Sequence, residues 1–254
     1  MAICETTVLD PITYEEPPDG GKTPIVDPYD GCTLCCPYCF QLSDENWNRN
    51  LYAHMNIADL LHDRLAAWDK EETIYLGSRC DPYMQIEETY GLTRKCLRIL
   101  NELRINTMIT TKADHRLIFR DLDILTNFGA EITVLMGISN VSQLGKGAQN
   151  DNILTANKLA ESGVTVWGFI TPVLPYIMDV DSIIEALSPG IPVFLDKLRI
   201  RNGTVQADNM RRFIGRQYPE YAKHYDEIID ANNEGYYSEL INRYAGHSRV
   251  KILF

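Results

Sequence analysis

The stretch TPIVDPYDGCTLCCPYCF (residues 23–40) begins with a short apolar run and ends in a loop that holds four cysteines. An apolar, β-branched run followed by Asp-Pro and then Gly predicts a strand that ends at a turn. Four of the chain's seven cysteines fall within eight positions here, at 32, 35, 36 and 39. A cysteine-rich loop directly after a strand indicates ligand chemistry, and the rest of the sequence decides in which fold this loop lies.

Strand-like and helix-like segments alternate after this stretch, which predicts an α/β fold. The runs TIYLGS (73–78), INTMITTK (105–112) and EITVLMGIS (131–139) have strand character, and residues 87–103 place apolar side chains at helical spacing. About six such units imply a parallel sheet with helices outside it. Because a full eightfold barrel typically needs about 250 residues, we predict a partial (β/α)6 TIM-like barrel with a C-terminal helical extension.

The chain of 254 residues divides into three parts on this interpretation. Residues 1–25, rich in Pro, Gly and acidic groups, are expected to form an irregular lead-in. Residues 26–207 are expected to form the partial barrel, in which a helix is predicted from about Glu45 to Asp69. Residues 208–254 are expected to form helices packed on the barrel.

Composition and charge narrow the range of partners. The chain has 35 acidic and 24 basic side chains, for a net charge of −11, whereas a duplex-binding protein normally presents a basic face. We therefore disfavour nucleic acid as a partner. We also expect no membrane segment, since no apolar run approaches the roughly 18 residues that a span requires. No secretion signal is recognised, so we expect a cytoplasmic protein with reduced thiols rather than disulfides.

Polar side chains follow several predicted strands at the point where each strand ends. The cysteine loop follows the first strand, GSRCDPY (77–83) the second, TTKADH (110–115) the third and GISN (137–140) the fourth. In parallel sheets and barrels of this kind, ligands bind at the carboxyl ends of the strands. We therefore expect these loops to meet at one rim and to form the functional site.

The cysteine spacing is compatible with more than one metal site. Cys32, Cys36 and Cys39 have C-x3-C-x2-C spacing, and three thiolates from one loop can hold three irons of a [4Fe–4S] cluster and leave the fourth iron open. Zinc is the alternative, because residues 32/35 and 36/39 form two C-x2-C pairs; zinc sites normally separate such pairs, however, and here they abut. A redox pair would need only one C-x-x-C. We expect Cys35 to be a bystander.

This loop resembles the signature of the radical S-adenosylmethionine (radical SAM) enzymes. The resemblance implies a six-unit partial barrel whose first loop holds the cluster on Cys32, Cys36 and Cys39, and Tyr38 matches the aromatic residue before the third cysteine. It also implies two cofactors, a [4Fe–4S] cluster and S-adenosylmethionine (SAM). A reducing partner such as flavodoxin or ferredoxin is expected to supply the electron.

A narrower resemblance extends over residues 25 to 190. The motifs after the second and third strands, taken in order, are similar to those of the spore photoproduct lyase subfamily of radical SAM enzymes. The matching residues are Asp81, Pro82, Tyr83, Glu87, Thr93, Arg94, Thr111, Lys112, Arg120 and Asp121. Each match is short, but together they occur in the order and at the spacing of the subfamily.

The resemblance implies a set of SAM contacts at the rim. Lys112, after the third strand, is expected to pair with the methionyl carboxylate of SAM. Ser139, after the fourth strand, and Ser78 or Cys80, after the second, are expected to donate to its carboxylate or ribose. Tyr38 is expected to line the same pocket.

The sequence departs from the subfamily at the residue that returns a hydrogen atom to the substrate. Aligned on the Asp-Pro-Tyr motif, the cysteine with that role in spore photoproduct lyase falls at Ser78, and a serine O–H bond is too strong for it. Cys80 occupies the position of a SAM-contacting serine. We therefore expect Cys80 or a tyrosine, of which Tyr83 is the nearest, to take a catalytic part instead.

The sequence thus predicts a radical SAM enzyme. Reductive cleavage of SAM is expected to yield a 5′-deoxyadenosyl radical that abstracts hydrogen from a small-molecule, amino-acid or peptide substrate. One alternative is a DNA-repair lyase like spore photoproduct lyase, for which the acidic balance of the chain lacks the cationic face. A second alternative is a zinc-binding protein without catalytic activity.

Overall fold

The fold was analysed in a computed structural model that describes residues 1–16, 21–44, 47, 49–113, 115–138 and 151–254. The strands are β1 (Ala2–Thr6), β2 (Thr13–Glu15), β3 (Thr23–Val26), β4 (Tyr29–Asp30), β5 (Asn50–His54), β6 (Ile74–Leu76), β7 (Thr107–Thr111), β8 (Ile132–Gly137), β9 (Thr165–Val173), β10 (Val193–Lys197) and β11 (Val250–Ile252). The helices are α1 (Ile57–Leu65), α2 (Ile86–Tyr90), α3 (Leu92–Glu102), α4 (His115–Arg120), α5 (Leu122–Leu125), α6 (Asp151–Glu161), α7 (Val180–Ala186), α8 (Val205–Gln217), α9 (Ala222–Ala231) and α10 (Gly235–Tyr244).

The main sheet of the described residues has eight strands in the order β11-β10-β9-β8-β7-β6-β3-β2. Neighbours from β3 through β11 pair in parallel, and only the edge strand β2 runs antiparallel to β3. The central strands are apolar and buried, as expected when helices cover a parallel sheet. The predicted α/β class is confirmed, and the described strands form an open sheet rather than a closed barrel.

A second sheet of three strands, in the order β1-β5-β4, positions the cysteine loop. β4 pairs antiparallel with β5 and leads directly into Gly31, whose φ is +85°. A Cβ atom at Gly31 would lie 2.3 Å from the carbonyl oxygen of Asn50. Only glycine fits this turn, because it tolerates both the left-handed backbone and the close approach.

The helices bury one face each against the sheet or against one another. α3 is the clearest case, since Leu92, Cys96, Leu97 and Leu100 are fully buried and repeat at helical spacing. α8 packs on the short 3-10 turn at residues 40–43 that follows the last loop cysteine. The C-terminal part of the chain therefore lies directly against the cysteine loop.

Several predicted elements differ from the observed ones. The helix expected from about Glu45 to Asp69 is wrong in its first half, because β5 is a strand with alternating burial and α1 begins only at Ile57. The lead-in expected to be irregular contains β1 and β2, and the C-terminal extension adds the strand β11 to its helices. The division of the chain into three parts remains a prediction.

No helix among the described residues combines the length and the apolar character needed to cross a bilayer.

Candidate active site

A cavity of about 620 Å³ opens at the carboxyl ends of the parallel strands. Three of the four loops expected at one rim line this cavity: the cysteine loop and the segments after β6 and β7. The ends of β9 and β10 also line it, whereas residues 139 and 140 of the fourth loop lie outside the described residues. The predicted site residues in its lining are Cys32, Cys36, Tyr38, Cys39, Ser78, Cys80 and Lys112. Ser139 lies outside the described residues.

The cysteine loop turns sharply at Cys35, which adopts a left-handed φ of +49°. Cys35 is exposed, whereas the adjacent Cys36 is buried. The amide of Cys39 donates to the carbonyl of Cys36 over 3.0 Å, which closes a tight turn between the second and third predicted ligands. The two neighbouring cysteines thus differ in exposure, and both line the cavity. That Cys35 is a bystander remains a prediction.

The sulfur atoms lie in an environment of low polarity that is supplied with backbone donors. Burial raises the pKa of Cys32 to about 12, against which the amides of Leu34 and Asp81 favour the thiolate. Burial also raises the pKa of Cys39, and two amides of the following 3-10 turn act in the opposite direction. Free thiolates are disfavoured here, but thiolates bound to cationic iron would be compensated by the iron and by these amides. The donor set therefore fits an iron–sulfur cluster.

A single metal ion requires a different arrangement of side chains from a cluster, because all its ligands must converge on one point. Among the described residues, no three His, Cys, Asp or Glu side chains are arranged to hold one ion. A zinc ion draws thiolates to about 2.3 Å from one point. The cysteines of a [4Fe–4S] cluster each bind a separate iron, so they need not converge in this way.

Lys112 lines the same cavity as the cysteine loop. Its amide donates to Oδ2 of Asp81 at 2.6 Å and its Nζ donates to the carbonyl of Thr171 at 2.7 Å, while Nζ lies 5.0 Å from the ring centroid of Tyr38. A Cβ atom at Gly137 would lie 2.2 Å from Cγ of Lys112, so glycine leaves the path of this side chain open. Burial lowers the pKa of Lys112, and the nearby sulfurs oppose that shift.

The other predicted site residues differ in how far they reach the cavity. Oγ of Ser78 donates to Oε2 of Glu15 over 3.3 Å. Cys80 is 3% exposed, and its thiol donates to the carbonyl of Tyr29 at 2.7 Å. Tyr83 is fully buried below the rim and does not line the cavity. The catalytic and SAM-binding roles of these residues remain predictions, and the structure does not bring Tyr83 to the other site residues.

Four of the ten residues that carried the narrower resemblance, Glu87, Arg94, Arg120 and Asp121, form an ionic network around two buried carboxylates. Glu87 and Asp121 are both 0% exposed. Glu87 accepts from Tyr29 at 2.5 Å and from Arg120 at 2.6 Å, and Asp121 accepts from Arg94 at 2.7 Å and from Arg120 at 2.9 Å. These groups contact one another, which is a structural role, because none of them lines the cavity.

Two residues near the site were missed from sequence. Gln206 on α8 lines the cavity, and its side-chain amide donates to the carbonyl of Tyr38. Asp27 follows β3 directly, and burial raises its pKa to about 7; its Oδ2 has no hydrogen-bond partner among the described residues. The position of Asp27 after a predicted strand was a usable signal. Nothing in the sequence around Gln206 indicated that α8 folds back to the loop.

No protein-family model matches the sequence. An uncharacterized protein of Methanocaldococcus jannaschii is 26% identical over 234 residues, which cover 83% of this chain and 86% of the relative. An uncharacterized protein of Mycobacterium tuberculosis is 25% identical over 231 residues, which cover 80% of this chain and 66% of the relative. These proteins give no activity with which to compare the site.

The similar solved structures are informative about the fold. Spore photoproduct lyase with bound AdoMet and dinucleoside spore photoproduct superposes with a TM-score of 0.58 at 12% identity, over 86% of this chain and 66% of that one. SuiB of Streptococcus suis bound to S-adenosylmethionine gives a TM-score of 0.53 at 17% identity, over 90% of this chain and 49% of SuiB. Both are radical SAM enzymes. The chain has a radical SAM fold.

The radical SAM resemblance predicted from the sequence is thus confirmed at the level of the fold. Within the radical SAM fold, the cysteine loop, the cavity and Lys112 occupy the carboxyl end of the parallel sheet. The chain spans 66% of the lyase and about half of SuiB.

Proposed function

We propose that this chain is a radical SAM enzyme that holds a [4Fe–4S] cluster on Cys32, Cys36 and Cys39 and binds SAM in the adjoining cavity. The observation that supports the proposal most directly is that these three cysteines and the partly buried Lys112 line one cavity. Cluster and SAM, when bound, supply a 5′-deoxyadenosyl radical by one-electron reductive cleavage of the sulfonium.

The chain's own residues bind and orient in this proposal. Lys112 offers a cationic head for the SAM carboxylate, held between Thr171 and the ring of Tyr38. Ser78, Cys80 and Ser139 are proposed to complete the SAM contacts. Apolar side chains such as Leu135 and Phe169 line the same cavity and would limit the access of water to a reactive intermediate.

The proposed substrate is a small molecule, an amino acid or a peptide, from which hydrogen is abstracted. The structure of SuiB bound to precursor peptide SuiA, with a TM-score of 0.50 at 18% identity over 69% of this chain and 39% of SuiB, supports the peptide class. The hydrogen donor that ends the reaction is proposed to be the thiol of Cys80 rather than Tyr83, because Cys80 lines the cavity and Tyr83 does not.

A repair lyase is the second candidate, favoured by the likeness to spore photoproduct lyase with a dinucleoside substrate bound. A DNA substrate would need cationic contacts to the backbone, whereas this chain carries a net charge of −11. A DNA affinity that falls steeply with added salt would favour the lyase.

The proposed function is tested by anaerobic reconstitution with iron and sulfide. We expect about four irons and four sulfides per chain, and release of 5′-deoxyadenosine when dithionite and SAM are added. A variant with Cys32→Ala, Cys36→Ala and Cys39→Ala should lose both properties. Cys35→Ala is the matched control, because this exposed neighbour in the same loop is proposed not to bind iron.

Two outcomes would contradict the proposal. Stoichiometric zinc without labile sulfide in protein purified without oxygen would favour the zinc-binding alternative. Formation of 5′-deoxyadenosine by the triple variant would place the reaction outside this loop.

A further inference from the structure

A separate groove lies between the cysteine loop and α8, and it is called the outer groove below. This outer groove has a volume of about 290 Å³ and is formed where α8 packs against the loop. The residues that line it are Cys35, Pro37, Leu42, Asn209, Arg212, Phe213, Arg216 and Gln217. The outer groove shares only Cys35 and Leu42 with the cavity proposed to bind SAM, so the two openings present different surfaces.

The outer groove is basic in a strongly acidic chain. Arg212 and Arg216 are both exposed, and among the described residues neither forms an ion pair with a carboxylate. Arg211, next to them on α8, is paired with Asp226 at 3.2 Å and Asp230 at 2.6 Å. The same helix thus neutralises one arginine within the fold and presents two uncompensated arginines beside the cysteine loop.

The outer groove is also joined to the proposed cluster ligands, both along the chain and by a hydrogen bond from α8. Cys35 in its wall directly precedes Cys36, and the side-chain amide of Gln206 on α8 donates to the carbonyl of Tyr38. α8 additionally contacts the 3-10 turn after Cys39. A protein seated in the outer groove would therefore be separated from the cluster site by little more than the loop itself.

We infer that the outer groove is the docking surface for an acidic electron-transfer protein of the flavodoxin or ferredoxin type. This inference rests on the proposed function, which requires one electron from outside. Phe213 and Leu42 offer an apolar centre and the two arginines a cationic rim, an arrangement suited to a partner with acidic groups around its redox centre. The donor loses one electron, the cluster passes from [4Fe–4S]²⁺ to [4Fe–4S]⁺, and no bond changes.

The test compares two double charge reversals. Arg212→Glu with Arg216→Glu removes the cationic rim of the outer groove. Lys95→Glu with Arg98→Glu makes the same change in net charge on exposed positions of α3 and serves as the matched control. Binding of oxidised plant-type ferredoxin and of oxidised flavodoxin is measured by calorimetry at two salt concentrations, and reduction of the reconstituted cluster is followed by stopped-flow absorbance.

We expect the groove variant to bind the preferred donor at least 10-fold more weakly and to be reduced by it at least 10-fold more slowly at low salt, because rim charges steer association. Its reduction by dithionite should equal that of the unmodified protein. The control variant should keep at least half of the donor affinity, and the unmodified protein should lose affinity as salt is added.

The outcomes separate this inference from the function on which it rests. Equal donor affinity and equal reduction rates in the two variants would overturn the docking surface while cluster content and SAM cleavage stayed intact. Absence of binding of either donor to the unmodified protein would also overturn it. A chain that assembles no cluster would instead refute the proposed function and, with it, the need for a donor.

Discussion

The ionic network and the cysteine loop differ in how their buried polar groups are compensated. In the network, the carboxylates of Glu87 and Asp121 are fully buried, and each accepts hydrogen bonds from at least one arginine side chain. In the loop, burial raises the pKa of Cys32 and Cys39, and the charge of Lys112 acts in the opposite direction on Cys39. The carboxylates of the network have cationic partners within the protein. The thiols of the loop fit a metal-containing cofactor of the kind proposed above.

This difference in compensation indicates which residues stabilise the fold and which are expected to bind a metal cofactor. Buried ion pairs are strongly destabilising to break, because removing one partner leaves an uncompensated charge. Unpaired buried groups cost stability in the folded chain and are retained where a ligand later compensates them. Changes in the network should therefore affect the free energy of unfolding, and changes in the loop should affect metal content.

Glu87→Ala should give the largest loss of stability. It leaves the guanidinium of Arg120 and the hydroxyl of Tyr29 without their shared acceptor. We expect the free energy of unfolding to fall by about 3–5 kcal/mol, measured by urea denaturation of iron-free protein. The exposed neighbour gives the control, since Glu88→Ala should change stability by about 0.5 kcal/mol or less. Equal effects of the two substitutions would show that the network does not hold the fold.

Asp27→Asn should change how stability depends on pH. The pKa of Asp27 is raised from its ordinary range to about 7 by burial, so the folded state holds this proton more tightly than the unfolded state does. Its contribution to the free energy of unfolding should therefore fall between about pH 4 and pH 7 and stay level above. Each pKa unit corresponds to about 1.4 kcal/mol, so the whole loss is a few kcal/mol at most.

The Asn variant should lack this loss and be the more stable protein at pH 8. Urea denaturation of both proteins at pH 5, 6, 7 and 8 gives the comparison. A constant difference in stability across this range would contradict the shifted ionisation of Asp27.

Gly137→Ala should destabilise the rim by crowding Lys112. The added methyl group would lie 2.2 Å from Cγ of that side chain, and overpacking typically costs about 1–3 kcal/mol. Removing the crowded side chain in the double variant Gly137→Ala, Lys112→Ala should recover part of the loss. Gly190→Ala, at a position where a Cβ meets nothing within 4 Å, is the control. Failure of the double variant to recover stability would indicate that the clash is relieved elsewhere.

Cys39→Ala should have the smallest effect on stability and a complete effect on cluster loading. The thiol is only partly buried, so iron-free protein should change by about 1 kcal/mol or less. Reconstitution should then fail to give a stable [4Fe–4S] cluster, whereas Cys35→Ala should load normally. Iron and sulfide analysis with visible absorbance measures the outcome, and normal loading of Cys39→Ala would exclude this residue as a ligand.

The parallel sheet and the position of the site were predictable from the sequence because both depend on local patterns. Apolar runs such as residues 132–137 are recognisable as buried strands, and polar residues after them must meet at one edge. The cysteine spacing likewise lies within one loop. These signals do not depend on knowing which distant segments touch.

The errors arose where pairing between distant segments decides the structure. Residues 50–54 are a strand because they pair with residues 2–6 and with β4, which a short segment without a strong pattern of its own does not reveal. The burial of Glu87 could not be predicted from the sequence for the same reason, because its partners at 29 and 120 are far away along the chain. Tyr83 matched a motif, yet the turn after β6 buries it below the rim.

The strand β11 has a consequence for how the chain can be altered. It pairs in parallel with β10, two residues of which line the cavity, and so makes a strand of three residues, rather than β10, the edge of the sheet. Bare strand edges recruit other chains. Removing the residues from 250 onward would therefore expose the longer edge of β10 and favour self-association next to the cavity.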